Sequence, residues 1–277
     1  MSNTTPRFYA INGTSLQTYR WSLLTIDGIH SRPPMRGQNP KTPYRHGSYS
    51  YGRKFFEEKF MVLKMAILGT DANGAITMAD AWAHLYKNLD DFLGLMYDDT
   101  QLTLSRYLAD GTTQREISVE AINEAVVKTE SQDQRYLVNV PLLAARPFWR
   151  ALPMIIDTES GITGTRAFNI DIAGNAPTDD MIITIDCTSA GSTPELSVPL
   201  TEEVISIKDG AISAGDQIIV NLKDRAFTKN GVRYDQSVDH NRAWFIELPK
   251  GPATIGMEFT SISGTYNLKI ERYDKWF

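Results

Sequence analysis

The sequence has little of what most enzymes and metal-binding domains need. It contains one cysteine in 277 residues, so no intramolecular disulfide can form and a disulfide-stapled scaffold is excluded. No two of its 4 histidines lie at the spacing of a helical or hairpin zinc site; they are His30, His46, His84 and His240. We therefore expect no metal centre and no cofactor.

Sequence motifs for catalysis are also missing. There is no nucleophile elbow, no phosphate-binding P-loop and no dinucleotide-binding glycine turn. Cys187 ends the alternating run 181–187 with no histidine nearby, which favours a small buried hydrophobe over a reactive thiol. Neighbouring carboxylates such as Asp90 and Asp91 do not face each other on a helix or strand. No catalytic residue is predicted, and the chain is not expected to be an enzyme.

Long hydrophobic runs are absent too. The start, MSNTTPRFYAING, lacks the basic and apolar segments of a secretory signal. The longest apolar run, residues 60–68, is short and contains Lys64. We expect synthesis in the cytoplasm and no membrane span.

A calcium loop is the nearest approach to a metal motif. Asp71, Asn73 and Asp80 fit such a loop from its third to its twelfth position, but Gly69 stands where the first carboxylate is required. A turn followed by a capped helix explains the same residues. In that interpretation Thr77 is the N-cap and Asp80 the N3 residue of a capping box.

The first 150 residues predict an α+β domain. Short strands flank turns at Asn12-Gly13 and Asp27-Gly28, and residues 55–68 fit a buried strand or a short helix, the strand being favoured because GTDANG follows as a turn. Further strands are predicted at 101–108, 115–127 and 136–143. One long helix is indicated by apolar residues at spacings of three and four: Met78, Trp82, Leu85, Leu89, Phe92, Leu93 and Met96.

From 151 to 277 no helical period is found. Short β-like runs recur at the spacing of a β-sandwich, at 167–172, 181–187, 195–198, 204–208, 217–222, 244–248, 254–259 and 266–272. Asn230-Gly231 has the residue types of a two-residue hairpin turn. The fold class expected is mainly β, with the α+β domain at 1–150 and a sandwich at 151–277.

Residues 31–56 predict an extended arm or long loop. Four prolines and two glycines fall within 31–51, too many for a helix or a central strand. Aromatic and basic residues alternate there, as in protein interfaces and in sites for single-stranded nucleic acid. A subunit contact is favoured over nucleic acid and over an ordinary loop. The candidate contact residues are Arg36, Tyr44, Arg45, Tyr49, Tyr51 and Arg53.

The distribution of charge also favours a subunit contact over nucleic-acid binding. Residues 1–54 hold eight Lys or Arg and one acid, about +7, while the chain as a whole has a net charge of −5. A basic segment on an acidic protein suits docking on protein surface better than sequence-specific binding of nucleic acid.

Local patterns resemble those of the distal tail (Dit) proteins of long, non-contractile-tailed bacteriophages. The segment 21–28, WSLLTIDG, looks like the early hairpin of that family, and 136–149 resembles the strand that closes its N-terminal domain. Gly215-Asp216, Asn230-Gly231 and 245–251 are similar to its galectin-like domain, although Lys250 separates Pro249 from Gly251, where many members have Pro-Gly followed by Asn.

The resemblance implies a structural protein of the virion. It implies a hexameric hub ring of N-terminal domains at the tail tip, between the tail tube and the host-adsorption apparatus, with galectin-like C-terminal domains outside. Its partners would be further copies of itself, the tail tube protein, and the tape-measure and tail-associated hub proteins. Residues 31–56 would be a hairpin laid on a neighbouring subunit.

The alternative is a carbohydrate-binding module that contacts the host cell surface. Receptor-binding proteins or host glycans are further candidate partners. The sandwich-like half and its aromatic residues motivate this alternative: Tyr234, Trp244, Tyr266, Tyr273 and Trp276. Aromatic residues in sandwiches are more often core, and a tail-associated hydrolase would need catalytic residues that the sequence does not show.

Overall fold

Antiparallel strands make up most of the computed structural model of the chain. It describes residues 9–38, 51–75, 80–97, 101–108, 113–130, 135–178, 180–192, 194–200, 202–207, 212–234, 246, 248, 251 and 253–277. These residues form two units. The first contains residues up to Trp149 together with Phe277, and the second contains Arg150–Trp276.

The first unit contains ten strands and one helix among its described residues. They are β1 (Tyr9–Ile11), β2 (Thr14–Ser15), β3 (Trp21–Asp27), β4 (Met35–Gln38), β5 (Tyr51–Phe56), β6 (Lys59–Leu68), α1 (Ala81–Tyr97), β7 (Leu102–Tyr107), β8 (Gln114–Ala121), β9 (Val126–Glu130) and β10 (Arg135–Ala144).

A sheet of order β2-β1-β7-β8-β10-β6-β3 forms the body of this unit, and β9 adds to β10. The longest ladder joins β6 to β10, from Lys59 opposite Ala144 to Leu68 opposite Arg135. The strand prediction for 55–68 is therefore confirmed over the helix. The turn between β1 and β2 has positive φ at Asn12 and Gly13, which matches the right-handed twist of a two-residue hairpin.

Helix α1 packs its buried stripe against the sheet. Leu85, Phe92 and Met96 are fully buried, and the Phe92 ring lies 5.9 Å from that of Trp21. Asn88 belongs to this stripe although the apolar spacing did not indicate it. Its amide nitrogen donates to the carbonyls of Leu68 and Thr70 at 2.7 and 2.9 Å, which satisfies a buried polar group at the end of β6.

Two details of the predicted helix are wrong. Trp82 is 41% exposed and does not belong to the buried stripe, because it lies at the flank of the stripe, about 60° around the helix from Leu85. Asp80 directly precedes the helix, and its carbonyl accepts a hydrogen bond from the His84 backbone N–H at 2.9 Å, so it occupies the N-cap rather than N3. Thr77 lies outside the described residues.

No helix in the described part of the chain has both the length and the hydrophobicity to cross a bilayer. A short strand, β11 (Trp149–Leu152), then leads from the first unit into the second.

The second unit consists of strands and turns throughout its described residues. The strands are β12 (Ile155–Ile162), β13 (Thr165–Ile172), β14 (Met181–Ser189), β15 (Glu195–Val198), β16 (Glu203–Ser206), β17 (Gln217–Asn221), β18 (Ala226–Lys229), β19 (Val232–Arg233), β20 (Ala253–Thr260), β21 (Thr265–Arg272) and β22 (Lys275–Trp276).

Two sheets share one hydrophobic core in this unit. Their strand orders are β12-β21-β14-β17-β18-β19 and β13-β20-β15-β16. Ile183 and Ile270 of the larger sheet are buried in one cluster with Leu196 and Phe259 of the smaller, which is the packing of a β-sandwich. The mainly β class and the sandwich are thus confirmed. The galectin-like character of the sandwich stays a prediction.

Candidate functional site

The predicted arm begins and ends as a pair of strands. Strands β4 and β5 are antiparallel, with Arg36 opposite Phe55 and Gln38 opposite Tyr51. Three candidate contact residues, Arg36, Tyr51 and Arg53, lie on these strands; the other three, Tyr44, Arg45 and Tyr49, lie outside the described residues. The ends of the arm are therefore a hydrogen-bonded ladder rather than a loop, and the contact role of its residues stays a prediction.

An aromatic cluster anchors the base of this hairpin within the first unit. The Phe56 ring lies 5.2 Å from Phe148 and 5.0 Å from Phe277, and those two are 5.6 Å apart. The Arg32 guanidinium lies 5.6 Å from the Phe277 ring centroid, within the range of a cation–π contact. The Glu57 N–H also donates to the Pro34 carbonyl at 2.8 Å, so the base of the hairpin is held by both ring contacts and a backbone hydrogen bond.

One face of the sheet carries a group of apolar residues that is half-buried except for the exposed Phe60. On β6 the odd-numbered residues, such as Met61 and Leu63, are buried in the core, so the even-numbered ones point the other way. Phe60 is 57% exposed there and lies opposite Leu143. Val62 beside it is opposite Pro141. We call Phe60, Val62, Pro141 and Leu143 the outer sheet face.

A polar border follows this face along β3, the edge strand. The Lys64 ammonium lies 2.6 Å from the Asp27 carboxylate, and this hydrogen bond holds the pKa of Asp27 below its ordinary value despite partial desolvation. Leu24 is 54% exposed on the same strand, next to a register shift between Leu23 and Thr25. An apolar centre with a polar border is the usual anatomy of a protein interface.

The aromatic residues proposed for sugar binding differ in their surroundings in the structure. Tyr266 is fully buried, and its hydroxyl donates to the Ser192 carbonyl, so it cannot stack on a sugar. Tyr234 lies under the Lys229 ammonium and Tyr273 under the Arg150 guanidinium, at 5.8 and 5.1 Å. Trp244 lies outside the described residues. These contacts favour structural roles for Tyr234, Tyr266 and Tyr273.

An open cleft of about 230 Å³ does exist in the second unit, between β12 and β13. Phe168 and two carboxylates, those of Asp157 and Glu159, line it. Asp157 pairs with Arg272 at 2.9 Å, and Glu159 lies 3.8 Å from Arg166. Its acidic groups are thus engaged by neighbouring arginines.

The calcium-like motif and Cys187 make ordinary structural contacts. No group of three or more potential metal-ligating side chains is found among the described residues. The Asp71 carboxylate accepts hydrogen bonds from the backbone N–H groups of Asn73 and Ala75 at 2.8 Å each, the contacts of an Asx turn. Cys187 is buried, and burial raises the pKa of its thiol.

Comparison with known proteins identifies the fold. No protein-family model matches the chain, and no curated protein matches its sequence. The Dit protein of phage SPP1, described as a paradigm of the hub adsorption apparatus in phages that infect Gram-positive bacteria, matches 98% of this chain and 99% of its own, with a TM-score of 0.69 and 11% sequence identity.

Two structures of the phage p2 baseplate in its activated conformation, with Sr and with Ca, match 96% of this chain and 97% of theirs at 11% identity. Their TM-scores of 0.47 and 0.45 are too low to carry an argument. The likeness to SPP1 Dit shows that this chain has the fold of a phage distal tail protein, as the resemblance implied.

Proposed function

We propose that this chain is a structural protein of a phage virion, which forms a hexameric hub ring at the tip of a long non-contractile tail. The observation that carries the proposal is the likeness to SPP1 Dit, which extends over 98% of the chain and so over both units. The ring joins the tail tube to the host-adsorption apparatus, and the protein acts by assembly rather than by catalysis.

The first unit supplies the contacts between neighbouring copies in this proposal. Its outer sheet face presents apolar side chains around Phe60, and the hairpin of β4 and β5 supplies a second contact through Arg36, Tyr51 and Arg53 of the arm. Burial of such a face removes apolar area from water, at about 25 cal/mol per Å². The tail tube, tape-measure and tail-associated hub proteins are further proposed partners.

The second unit serves as the docking platform for receptor-binding proteins. Direct binding of host glycans has less support, because Tyr266 is buried and the Tyr234 and Tyr273 rings lie under basic side chains.

The ring is tested by mass photometry and negative-stain microscopy of the purified chain. We expect hexameric rings for the wild type. Phe60→Glu places a charge on the outer sheet face and should reduce the mass to that of one chain, whereas Ile262→Glu, at a 91% exposed position of the second unit, should leave rings intact. A wild type that stays monomeric at high concentration and forms no rings would contradict the proposal.

A double variant, Arg36→Glu with Arg53→Glu, tests the arm separately. If the arm docks on a neighbouring subunit through its basic residues, this variant should weaken the ring at low salt. If the rings of this variant are as stable as those of the wild type, the arm does not contribute to the interface. The role of the outer sheet face is tested independently by Phe60→Glu.

A further inference from the structure

Three basic side chains lie on the core-facing side of the sheets in the first unit. Leu104 and Ile117 are opposite each other on β7 and β8 and both are buried. Two residues further along each strand, Arg106 is opposite Arg115. Since side chains alternate along a strand, both arginines emerge on the core side.

Lys59 joins them from β6. It lies on the same side of its strand as Met61 and Leu63, and it is 1% exposed. Its ammonium donates to the Ile29 carbonyl at 2.8 Å. We call Lys59, Arg106 and Arg115 the basic cluster.

Trp149 closes the cluster on one side. It is fully buried, and the Arg106 guanidinium lies 4.6 Å from its ring centroid. The indole Nε1 of Trp149 and the Nε of Arg106 are buried and have no hydrogen-bond acceptor among the residues that the structure describes. Because buried N–H groups are nearly always paired, two donors at one place indicate that an acceptor belongs there.

Two members of the cluster, Lys59 and Arg106, have no carboxylate partner within the described part of the chain. The contacts of these two side chains are the Ile29 carbonyl, the Tyr9 hydroxyl and the Trp149 ring. Burial lowers the pKa of all three basic groups, and repulsion by Arg106 lowers those of Lys59 and Arg115 further. Buried charges are normally paired, since removal from water is costly.

We propose that the basic cluster and Trp149 form a binding site for one oxyanion, a carboxylate or phosphate group. The half-buried arginines meet the ligand from solvent and Lys59 supplies charge from beneath. The orphan N–H groups of Arg106 and Trp149 are donors to its oxygens, and charge-assisted bonds of this kind are the strongest hydrogen bonds in proteins. The oxyanion is either a free ion or an acidic side chain of a second copy of this chain.

Calorimetric unfolding of the full chain tests the site, with millimolar sodium phosphate compared with sodium chloride of equal ionic strength at neutral pH. At a phosphate concentration about ten times its Kd, ligand linkage should raise the Tm of the first unit by about 3 °C. Arg106→Gln should abolish most of this rise. Lys128→Gln, at an exposed residue of β9, is the matched control and should keep it.

Lys59→Met provides a second variant, with an apolar chain of similar length, in case Arg106→Gln does not fold. It too should lose the phosphate response. Equal Tm shifts in the wild type, Arg106→Gln and Lys59→Met would overturn the proposal, and so would a wild type that neither gains stability nor changes mass with phosphate.

The source of the oxyanion is read from mass photometry of the same samples. If a carboxylate of a neighbouring copy fills the site, phosphate competes with it and the assembly falls to smaller masses. If a free anion fills it, the mass is unchanged while the Tm rises. A chain that stays monomeric but gains stability with phosphate would refute the proposed ring and support the oxyanion site. The two proposals can therefore fail independently of each other.

Discussion

The two units treat buried charge in opposite ways. In the second, Arg272 is 2% exposed and its guanidinium meets Asp274 at 2.5 Å, Asp157 at 2.9 Å and the Asp171 carbonyl at 2.7 Å. In the first, the almost fully buried Lys59 has a carbonyl partner, and no carboxylate pairs with it among the described residues. The second unit thus supplies carboxylate partners for Arg272, whereas in the first we propose that an oxyanion from outside balances Lys59.

The largest effect is expected from Arg272→Met. It leaves the Asp274 carboxylate buried without its cation, and loss of one partner of a buried pair costs about 3–5 kcal/mol of unfolding free energy. Denaturant unfolding of the second unit would measure this. The control Arg166→Ala removes an arginine from a loose exposed pair and should change stability by less than about 0.5 kcal/mol. Similar small effects of both variants would show that the Arg272 network is not stabilising.

A smaller effect, a gain rather than a loss of stability, is expected when Lys59 loses its proton in phosphate-free buffer. Burial, with repulsion from Arg106, lowers its pKa from 10.5 to about 8. Between these values the unfolded chain binds more protons than the folded one, so stability rises with pH. The unfolding free energy of the first unit should increase by up to about 3 kcal/mol as pH rises from 8 to 10.5.

Comparison with Lys59→Met isolates this contribution from other lysines and tyrosines that titrate in the same range. The variant should lack the extra rise. If the wild-type and variant profiles are parallel, Lys59 is not an uncompensated cation in the folded chain.

The smallest effect concerns acid stability of the second unit. Hydrogen bonds from Asn230 and the Ser213 N–H, with the Lys229 ammonium at 3.1 Å, lower the pKa of Asp216 to about 2. Its stabilisation is present above the ordinary aspartate pKa and is lost as pH falls from about 4 towards 2. Asp216→Asn should flatten the acid limb of a thermal unfolding profile, while Asp224→Asn, at an exposed turn residue, should not.

Much of the fold was predictable because its signals are local. The alternating run 195–198 became β15 without a change of bounds, and Asn230-Gly231 adopted the positive φ angles of a hairpin turn. Strand β12 was missed because isoleucine occurs only near its ends, and Gly161 interrupts it with a φ of 65°. As an edge strand it needs no regular alternation of apolar residues.

The candidate site was less predictable. The arm was recognised from its prolines and its basic and aromatic residues, but its pairing as strands was not. Trp82 fits the apolar spacing of α1 and is nevertheless exposed, while Asn88 does not fit it and is buried. The packing partner decides such cases, because the Leu68 and Thr70 carbonyls offer Asn88 acceptors that no helical period can reveal.

The sequence by itself determined the mainly β class, the one long helix and the sandwich in the second half, because turn residues and side-chain periods act over a few positions. Only the tertiary structure decided which charges are balanced. Lys59, Arg106 and Arg115 are far apart along the chain, and strand register brings them to one side of the core. Charge compensation depends on distance in space and on burial, and neither quantity is encoded in the spacing of residues along the chain.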